Sequence, residues 1–110
     1  MDLLFTTYTI AKLEKDNGKV PFPLLLDQGT VLACREFVKA GMMIEDDRLA
    51  SDKMDEYFKT GKTLQDLYLD IIGKLEDGHF LDKGAKEMAI KQAKAQKEEQ
   101  KKLLSEKLGN

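Results

Sequence analysis

A chain of 110 residues, 42% hydrophobic and 35% charged, is long enough for one domain with a modest core and too short for two. Its formal net charge of -2 argues against a protein that binds the phosphate backbone, because such proteins usually carry an excess of basic residues on one face. The single cysteine, Cys34, excludes a disulfide within the chain and is typical of a reducing compartment.

Neither a membrane helix nor a secretion signal is predicted. No apolar run approaches the roughly 20 residues that a helix needs to cross a bilayer. Residues 1–6 lack the basic region and the long apolar segment of a signal peptide. We therefore expect a cytoplasmic protein.

The N-terminal quarter of the sequence predicts two helices joined by an extended stretch. Residues 3–5 are apolar, and we expect them to form a short extended segment before a helix that is capped by Thr6 or Thr7. That helix is expected to turn Tyr8 and Ala11, and also Ile10 and Leu13, inward and to end at Asn17-Gly18, a common C-terminal pair. Two prolines then predict an extended stretch followed by a short helix through three leucines.

The middle of the sequence predicts two further helices. The apolar spacing over residues 30–43 is that of a core helix with Cys34 on its buried face. Residues 44–50 are rich in acidic side chains and predict a loop. Ser51 is therefore expected to cap a short helix that ends before Gly61.

The clearest helical pattern lies in residues 63–76. Thr63 can cap the first turn, and Asp66 lies near the positive end of the helix dipole. An apolar face this continuous must be covered, so the other helices are expected to pack around it. The face has the spacing of a single helical stripe and consists of Leu64, Leu67, Tyr68, Ile71, Ile72 and Leu75.

The C-terminal quarter is charged and rich in helix-forming residues. Asp82 is expected to cap a long helix that runs toward Leu108. Its apolar content is thin, so the last two turns are expected to fray or to await a partner. The sequence thus predicts a mostly α fold, a small bundle of about five or six helices with at most a short extended segment at the N terminus. A compact body of residues 1–81 is expected to carry a charged C-terminal helix over residues 82–110, which projects from the body.

No group of residues in the sequence matches a catalytic or metal-binding motif. Gly61-Lys62-Thr63 matches the end of a phosphate-binding loop, but Glu56 stands where that loop needs a glycine. The acidic residues 45–47 do not have the spacing of a calcium loop. Zinc ligands are lacking, and nothing predicts that Cys34 meets the single histidine, His79. We therefore expect a protein without enzymatic activity, metal or cofactor.

Three consecutive large apolar residues at the end of the second core helix cannot all face one core. Methionine adapts to irregular surfaces, so a contact with another molecule is one interpretation. A helix end wedged into the core of the domain itself is the other. The residues expected to contact partners are Met42, Met43, Ile44, Phe80, Leu81, Met88, Leu103 and Leu104.

Several motifs follow one another in a distinctive order over residues 3–81. Leu4-Phe5-Thr6-Thr7 leads into an apolar-x-x-Leu-Glu helix, and an Asn-Gly turn and Pro23-Leu24-Leu25-Leu26 come next. Gly61 later precedes a helix that carries Leu64, Leu67 and Ile71 on one face. In this order the chain resembles the tail assembly chaperones of long-tailed, siphovirus-type phages and prophages. Many relatives have a β-hairpin before the Thr-Thr pair, for which this chain has little room.

The resemblance implies a role in assembly rather than catalysis. Proteins of this family coat the aggregation-prone tape-measure protein and recruit tail-tube subunits, and they leave before the tail is finished. The implied partners are therefore the tape-measure protein, the tail-tube protein and further copies of the chain, in the cytoplasm of the bacterial host. Neither nucleic acid nor a membrane is expected as a partner.

Three other functions remain open from the sequence. A small phage or prophage regulator that binds DNA needs a basic recognition helix, whereas the helix over residues 63–76 carries three acidic residues and one lysine. A helical protein-interaction module that pairs through residues 82–108 needs heptads, which the alanine-rich middle of that segment does not sustain. An enzyme would require the fold to bring scattered carboxylates together.

Overall fold

A computed structural model describes the backbone of residues 1–108, and their side chains except those of Lys97, Gln100 and residues 103–108. The described part contains no strand, which confirms the prediction of a mostly α fold with five or six helices. The helices within it are α1 (Thr7–Asp16), α2 (Phe22–Asp27), α3 (Val31–Met42), α4 (Asp47–Lys59), α5 (Leu64–Asp77) and α6 (Ala85–Leu108).

Residues 1–6 form an extended segment that packs across the end of α3. Leu3 and Phe5 are buried, and the N–H of Leu4 donates to the carbonyl of Gly41 over 3.0 Å. The approach is close because Gly41 has no side chain, since a Cβ there would lie 2.9 Å from Leu3 Cδ2. Successive side chains of an extended chain point to opposite sides, so Leu4 faces the solvent.

Helix α1 begins at a capping box and buries only part of the face predicted for it. The hydroxyl of Thr6 accepts from the N–H of Thr9, while the hydroxyl of Thr9 accepts from the N–H of Thr6. The buried face runs through Thr9, Ile10 and Leu13. The prediction is confirmed for Ile10 and Leu13 and wrong for Tyr8 and Ala11, because Tyr8 is 67% exposed and Ala11 is exposed as well.

Helices α3 and α5 form the centre of the core. Helix α5 has the predicted apolar face and cap, because Thr63 and Asp66 form a capping box at its N terminus. Cys34 is buried on α3, as predicted. The largest fully buried side chains all lie on these two helices and are Phe37, Val38, Leu67, Ile71 and Leu75.

Helix α4 begins earlier than predicted. Asp46 is its N-cap and accepts from the N–H of Leu49 over 2.8 Å. Ser51 lies inside the helix, where its hydroxyl donates to the carbonyl of Asp47. The predicted loop is therefore confirmed for residues 44–46 and wrong for residues 47–50, and the prediction of a cap at Ser51 is wrong. The acidic residues that suggested a loop are favoured at a helix N terminus, because their charge complements the dipole.

Helix α6 begins later than the predicted cap, Asp82, and its first half lies along α5. Ala85 and Ala89 pack against the core. The helix has 24 residues and is therefore about 36 Å long. The described backbone of α6 is helical through Leu108, and the fraying of its last two turns stays a prediction.

Two helices are capped by a carboxylate from the helix that precedes them in the chain. Glu14 Oε2 on α1 accepts from the N–H of Phe22 at the start of α2, over 2.8 Å. Glu76 on α5 accepts from two donors at the start of α6, the N–H of Gly84 at 2.9 Å and that of Lys86 at 3.2 Å. These caps join consecutive helices and satisfy N–H groups that have no partner within the helix.

Candidate protein-interaction surface

The residues predicted to contact partners do not form one surface. Met43 is 72% exposed, whereas its neighbours Met42 and Ile44 are half-buried and pack against the core. Phe80 and Leu81 are also half-buried against the core. The interpretation as a helix end wedged into the core thus holds for Met42 and Ile44, whereas Met43 is exposed and its contact with another molecule stays a prediction.

The other predicted contacts lie on α6. Met88 is 64% exposed and lines neither of the two clefts that Met43 lines. Leu103 and Leu104 belong to the helix, but their side chains lie outside the described residues.

Leu4, Tyr8 and Met43 form an exposed apolar surface where the N-terminal segment, α1 and the end of α3 meet. Their side chains are 70%, 67% and 72% exposed, respectively. All three line one shallow cleft of about 290 Å³. Tyr8 and Met43 also line an adjoining cleft of about 130 Å³ between α1 and α3. These three residues are called the Tyr8 surface below.

The position of Met43 is unfavourable for any residue but glycine. Its φ of 56° and ψ of 45° lie in the left-handed region. The N–H of Met43 donates to the carbonyl of Ala40 and that of Ile44 to the carbonyl of Lys39, which is the usual glycine-ended helix terminus. A side chain in this conformation costs roughly 1–2 kcal/mol. A large apolar residue that is both strained and exposed points to a role outside folding.

Paired charges surround the cleft between α1 and α3. Lys12 Nζ lies 3.0 Å from Asp16 and 3.3 Å from Glu45, and Lys39 Nζ lies 2.7 Å from Asp47. The hydrogen bonds to Asp16 and Glu45 raise the pKa of Lys12. The hydrogen bond to Asp47 is the main cause of the raised pKa of Lys39. An apolar centre with a charged rim is the usual anatomy of a protein–protein interface.

Cys34 has no access to a substrate. Burial raises the pKa of its thiol to about 11, so the thiol is protonated at neutral pH and is a poor nucleophile.

Among the residues that the structure describes, no cluster of His, Cys, Asp and Glu could hold a metal ion. No described helix combines the length and the apolar character needed to cross a membrane.

Comparison with known proteins found no matching family model, no matching curated protein and no matching solved structure. The resemblance to tail assembly chaperones therefore rests on the motifs of residues 3–81. The Tyr8 surface rests on exposure, on shared clefts and on the backbone conformation of Met43.

Two residues of the Tyr8 surface were not predicted from the sequence. Leu4 could have been found from the extended run around it, because alternation buries Leu3 and Phe5 and leaves Leu4 outside. Tyr8 could have been found from the spacing of Ile10 and Leu13, which places the buried face of α1 away from it.

Proposed function

We propose that this protein is a tail assembly chaperone of a long-tailed phage or prophage, which covers apolar stripes of the tape-measure protein and helps to recruit tail-tube subunits. The observation that carries the proposal is the Tyr8 surface, where three large, mostly exposed apolar side chains line one cleft. Contiguous exposed apolar residues are typical of interaction sites. The motif order of residues 3–81 supplies the family to which this surface is assigned.

The size of the Tyr8 surface predicts weak binding by a single copy. Burying three large apolar side chains contributes roughly 5 kcal/mol, and association costs at least about 4 kcal/mol in lost freedom. The net binding free energy of a single copy is therefore small. A long helical partner that offers many apolar stripes can instead bind many copies, and contacts between neighbouring copies then raise the overall affinity. Weak single sites also allow the chaperone to leave when the tail tube forms.

The proposal is tested by producing the chain together with the tape-measure protein encoded by the same genome. The fraction of tape-measure protein that stays in the supernatant is expected to rise severalfold when the chain is present. The Tyr8→Ser variant should abolish most of this gain. Its fold should be intact, because the side chain is mostly exposed. If this variant protects the tape-measure protein as well as the natural chain does, the Tyr8 surface is not the site.

The Met43→Gly variant is expected to separate folding from binding. Glycine relieves the left-handed conformation, so the free energy of unfolding should stay unchanged or rise by about 1 kcal/mol. The protection of the tape-measure protein should fall, because the exposed side chain is gone. Urea titration followed by circular dichroism measures the first effect, and the supernatant assay measures the second.

His79→Gly is the matched control. His79 has a φ of 66° and ends α5 in the same way, since the N–H of Phe80 donates to the carbonyl of Leu75 over 2.9 Å. This variant should change the stability similarly and leave the protection intact. If protection survives in both variants while tape-measure protein still binds, Met43 has no part in the contact. If the tape-measure protein never binds, a helical protein-interaction module with another partner becomes the better assignment.

A further inference from the structure

The charges of the chain are divided unequally between its two parts. Residues 1–81 carry 10 basic and 15 acidic residues, a formal charge of -5. Residues 82–110 carry 8 basic and 5 acidic residues, a formal charge of +3. Two copies of the chain therefore attract one another when the C-terminal part of one copy meets the body of the other, whereas two bodies repel.

The acidic excess of the body is also present at the Tyr8 surface. The two clefts that this surface lines are bordered by two lysines, Lys12 and Lys39, and by four acidic residues, Asp2, Asp16, Glu36 and Glu45. Lys12 is shared by two carboxylates, because its Nζ lies 3.0 Å from Asp16 and 3.3 Å from Glu45. The side chain of Glu45 is 81% exposed, so a cation from another molecule can reach it.

The first half of α6 has the complementary combination of groups. Met88 is a large apolar side chain that is mostly exposed. Lys91 is exposed as well and lies one turn further along the helix, beside Met88. Residues 82–96 carry four lysines and two acidic residues. None of the described residues of α6 lines either cleft of the Tyr8 surface, so within the described part a chain does not fill its own clefts.

We propose that the Tyr8 surface of one copy binds the first half of α6 of a second copy. Met88 of the second copy lies against Tyr8 and Met43 of the first, and Lys91 of the second copy pairs with Glu45 of the first. Opposite charges around an apolar contact set which surfaces meet and in what orientation. The two surfaces in contact differ, so each copy keeps one free surface of each kind, and the assembly can grow beyond a dimer.

The inference goes beyond the proposed function, because it requires no tape-measure protein. Few apolar side chains are buried in the contact, so association is expected to be weak and to appear only at high concentration. A second copy and the tape-measure protein compete for the Tyr8 surface. The test uses the chain alone and can therefore fail while the proposed function stands, and the proposed function can fail while this contact is found.

Sedimentation velocity of the full chain, from micromolar to millimolar concentration, is the first measurement. The average mass is expected to rise with concentration and to pass beyond that of a dimer. Salt at molar concentration should weaken the association severalfold, because it screens exposed charges. A chain that stays monomeric throughout, or an association that salt does not weaken, would overturn the inference.

Two variants separate the two surfaces of the contact. Tyr8→Ser changes the surface that receives α6, and Met88→Ser changes α6 itself. Both side chains are mostly exposed, so both variants should fold. Each variant alone should stay monomeric at concentrations where the natural chain associates. Leu24→Ser is the matched control, because it removes an exposed apolar side chain of α2 and should associate as the natural chain does.

An equimolar mixture of Tyr8→Ser and Met88→Ser should form dimers and nothing larger. The first variant keeps α6 intact and the second keeps the Tyr8 surface intact, so one contact can form between them and none can extend it. A mixture that stays monomeric, or a Met88→Ser variant that associates as well as the natural chain, would overturn the inference.

A charge exchange tests the pairing of Lys91 with Glu45. Glu45→Lys and Lys91→Glu should each weaken the association severalfold, because each places like charges opposite one another. The double variant, Glu45→Lys with Lys91→Glu, should regain most of the loss. If the double variant associates no better than the single variants, these two residues do not meet and the proposed orientation is wrong.

Discussion

Helices α5 and α6 lie side by side, but different interactions hold them. Helix α5 has its own capping box, formed by Thr63 and Asp66, and four of its side chains are buried. Helix α6 is longer, at 24 residues against 14, and no side chain described in it is fully buried. It contacts α5 through small residues, and its N terminus is capped from outside by Glu76. The helix with the higher intrinsic helix propensity is thus the one with the weaker attachment.

This difference shows that one property of the sequence favours the formation of a helix and another fixes its position in the fold. Alanine, lysine, glutamate and glutamine favour the helical backbone of α6 without providing much surface to bury. Leu67 and Ile71 of α5 provide that surface and fix the position of their helix in the core. The body is therefore expected to unfold as one unit, whereas α6 is expected to detach from it at a lower free energy.

The largest effect should come from removing a buried side chain of α5. Leu67→Ala is expected to lower the free energy of unfolding by about 2–5 kcal/mol. Leu67 is fully buried, so its truncation removes buried apolar surface and leaves a cavity in the core. Ala89→Gly on α6 should cost at most about 1 kcal/mol, the difference in helix propensity. Urea titration followed by circular dichroism measures both. Losses of similar size would show that the two helices are attached equally strongly.

A smaller effect should distinguish two glycines at helix contacts. A Cβ on Gly41 would lie 3.1 Å from Phe5 Cε1 as well as against Leu3, and both of these residues are buried. Gly41→Ala is therefore expected to cost roughly 1–2 kcal/mol, after a partial gain in helix propensity. A Cβ on Gly73 of α5 would meet Lys86 Cδ of α6 at 2.9 Å, in a flexible and partly exposed side chain.

Gly73→Ala should therefore stabilise the protein by up to about 1 kcal/mol through helix propensity, because Lys86 can move aside. The same urea titration measures both variants. If Gly73→Ala destabilised the protein as much as Gly41→Ala, the contact of α5 with α6 would be as tightly packed as that of the N-terminal segment with α3.

The helices were predictable where the sequence carries a regular apolar stripe. Residues 30–43 and 63–76 repeat apolar side chains at helical spacing, and the structure places a helix on each stretch. The start of α4 was mispredicted because acidic residues favour both loops and helix N termini. The cap that Glu76 provides for α6 was not predictable from local patterns, because its donors lie eight and ten residues further along the chain.

The candidate surface was only partly predictable. Met43 was found because three large apolar residues in a row are unusual at a helix end. Its left-handed backbone and its position beside Tyr8 in one cleft depend on how α3 ends against α1, which no single stretch of sequence encodes. The exposure of Val31 and Leu32 was not predicted, because they share the apolar spacing of a core helix; both are more than half exposed where they line a groove with α4.

The smallest effect concerns the cap that attaches α6. Hydrogen bonds from the N–H groups of Gly84 and Lys86 hold the pKa of Glu76 below its ordinary value of 4.5. A carboxylate with a lowered pKa stabilises the folded state in full above that ordinary value, and the contribution is lost as the pH falls through the lowered one. The amide proton shifts of Gly84 and Lys86, measured by NMR during acid titration, should therefore move together below pH 4.5.

In Glu76→Gln this common titration should disappear, and proteolysis within the first turns of α6 should become faster at neutral pH. Glu98→Gln is the matched control, because it removes the same charge from an exposed position on α6 and should leave both measurements unchanged. If the two amide shifts titrate in Glu76→Gln as they do in the natural chain, another carboxylate caps α6. Loss of the titration without faster proteolysis would show that the alanine contacts alone attach the helix. In that case, the contrast between α5 and α6 would lie in the amount of buried surface and not in how their N termini are capped.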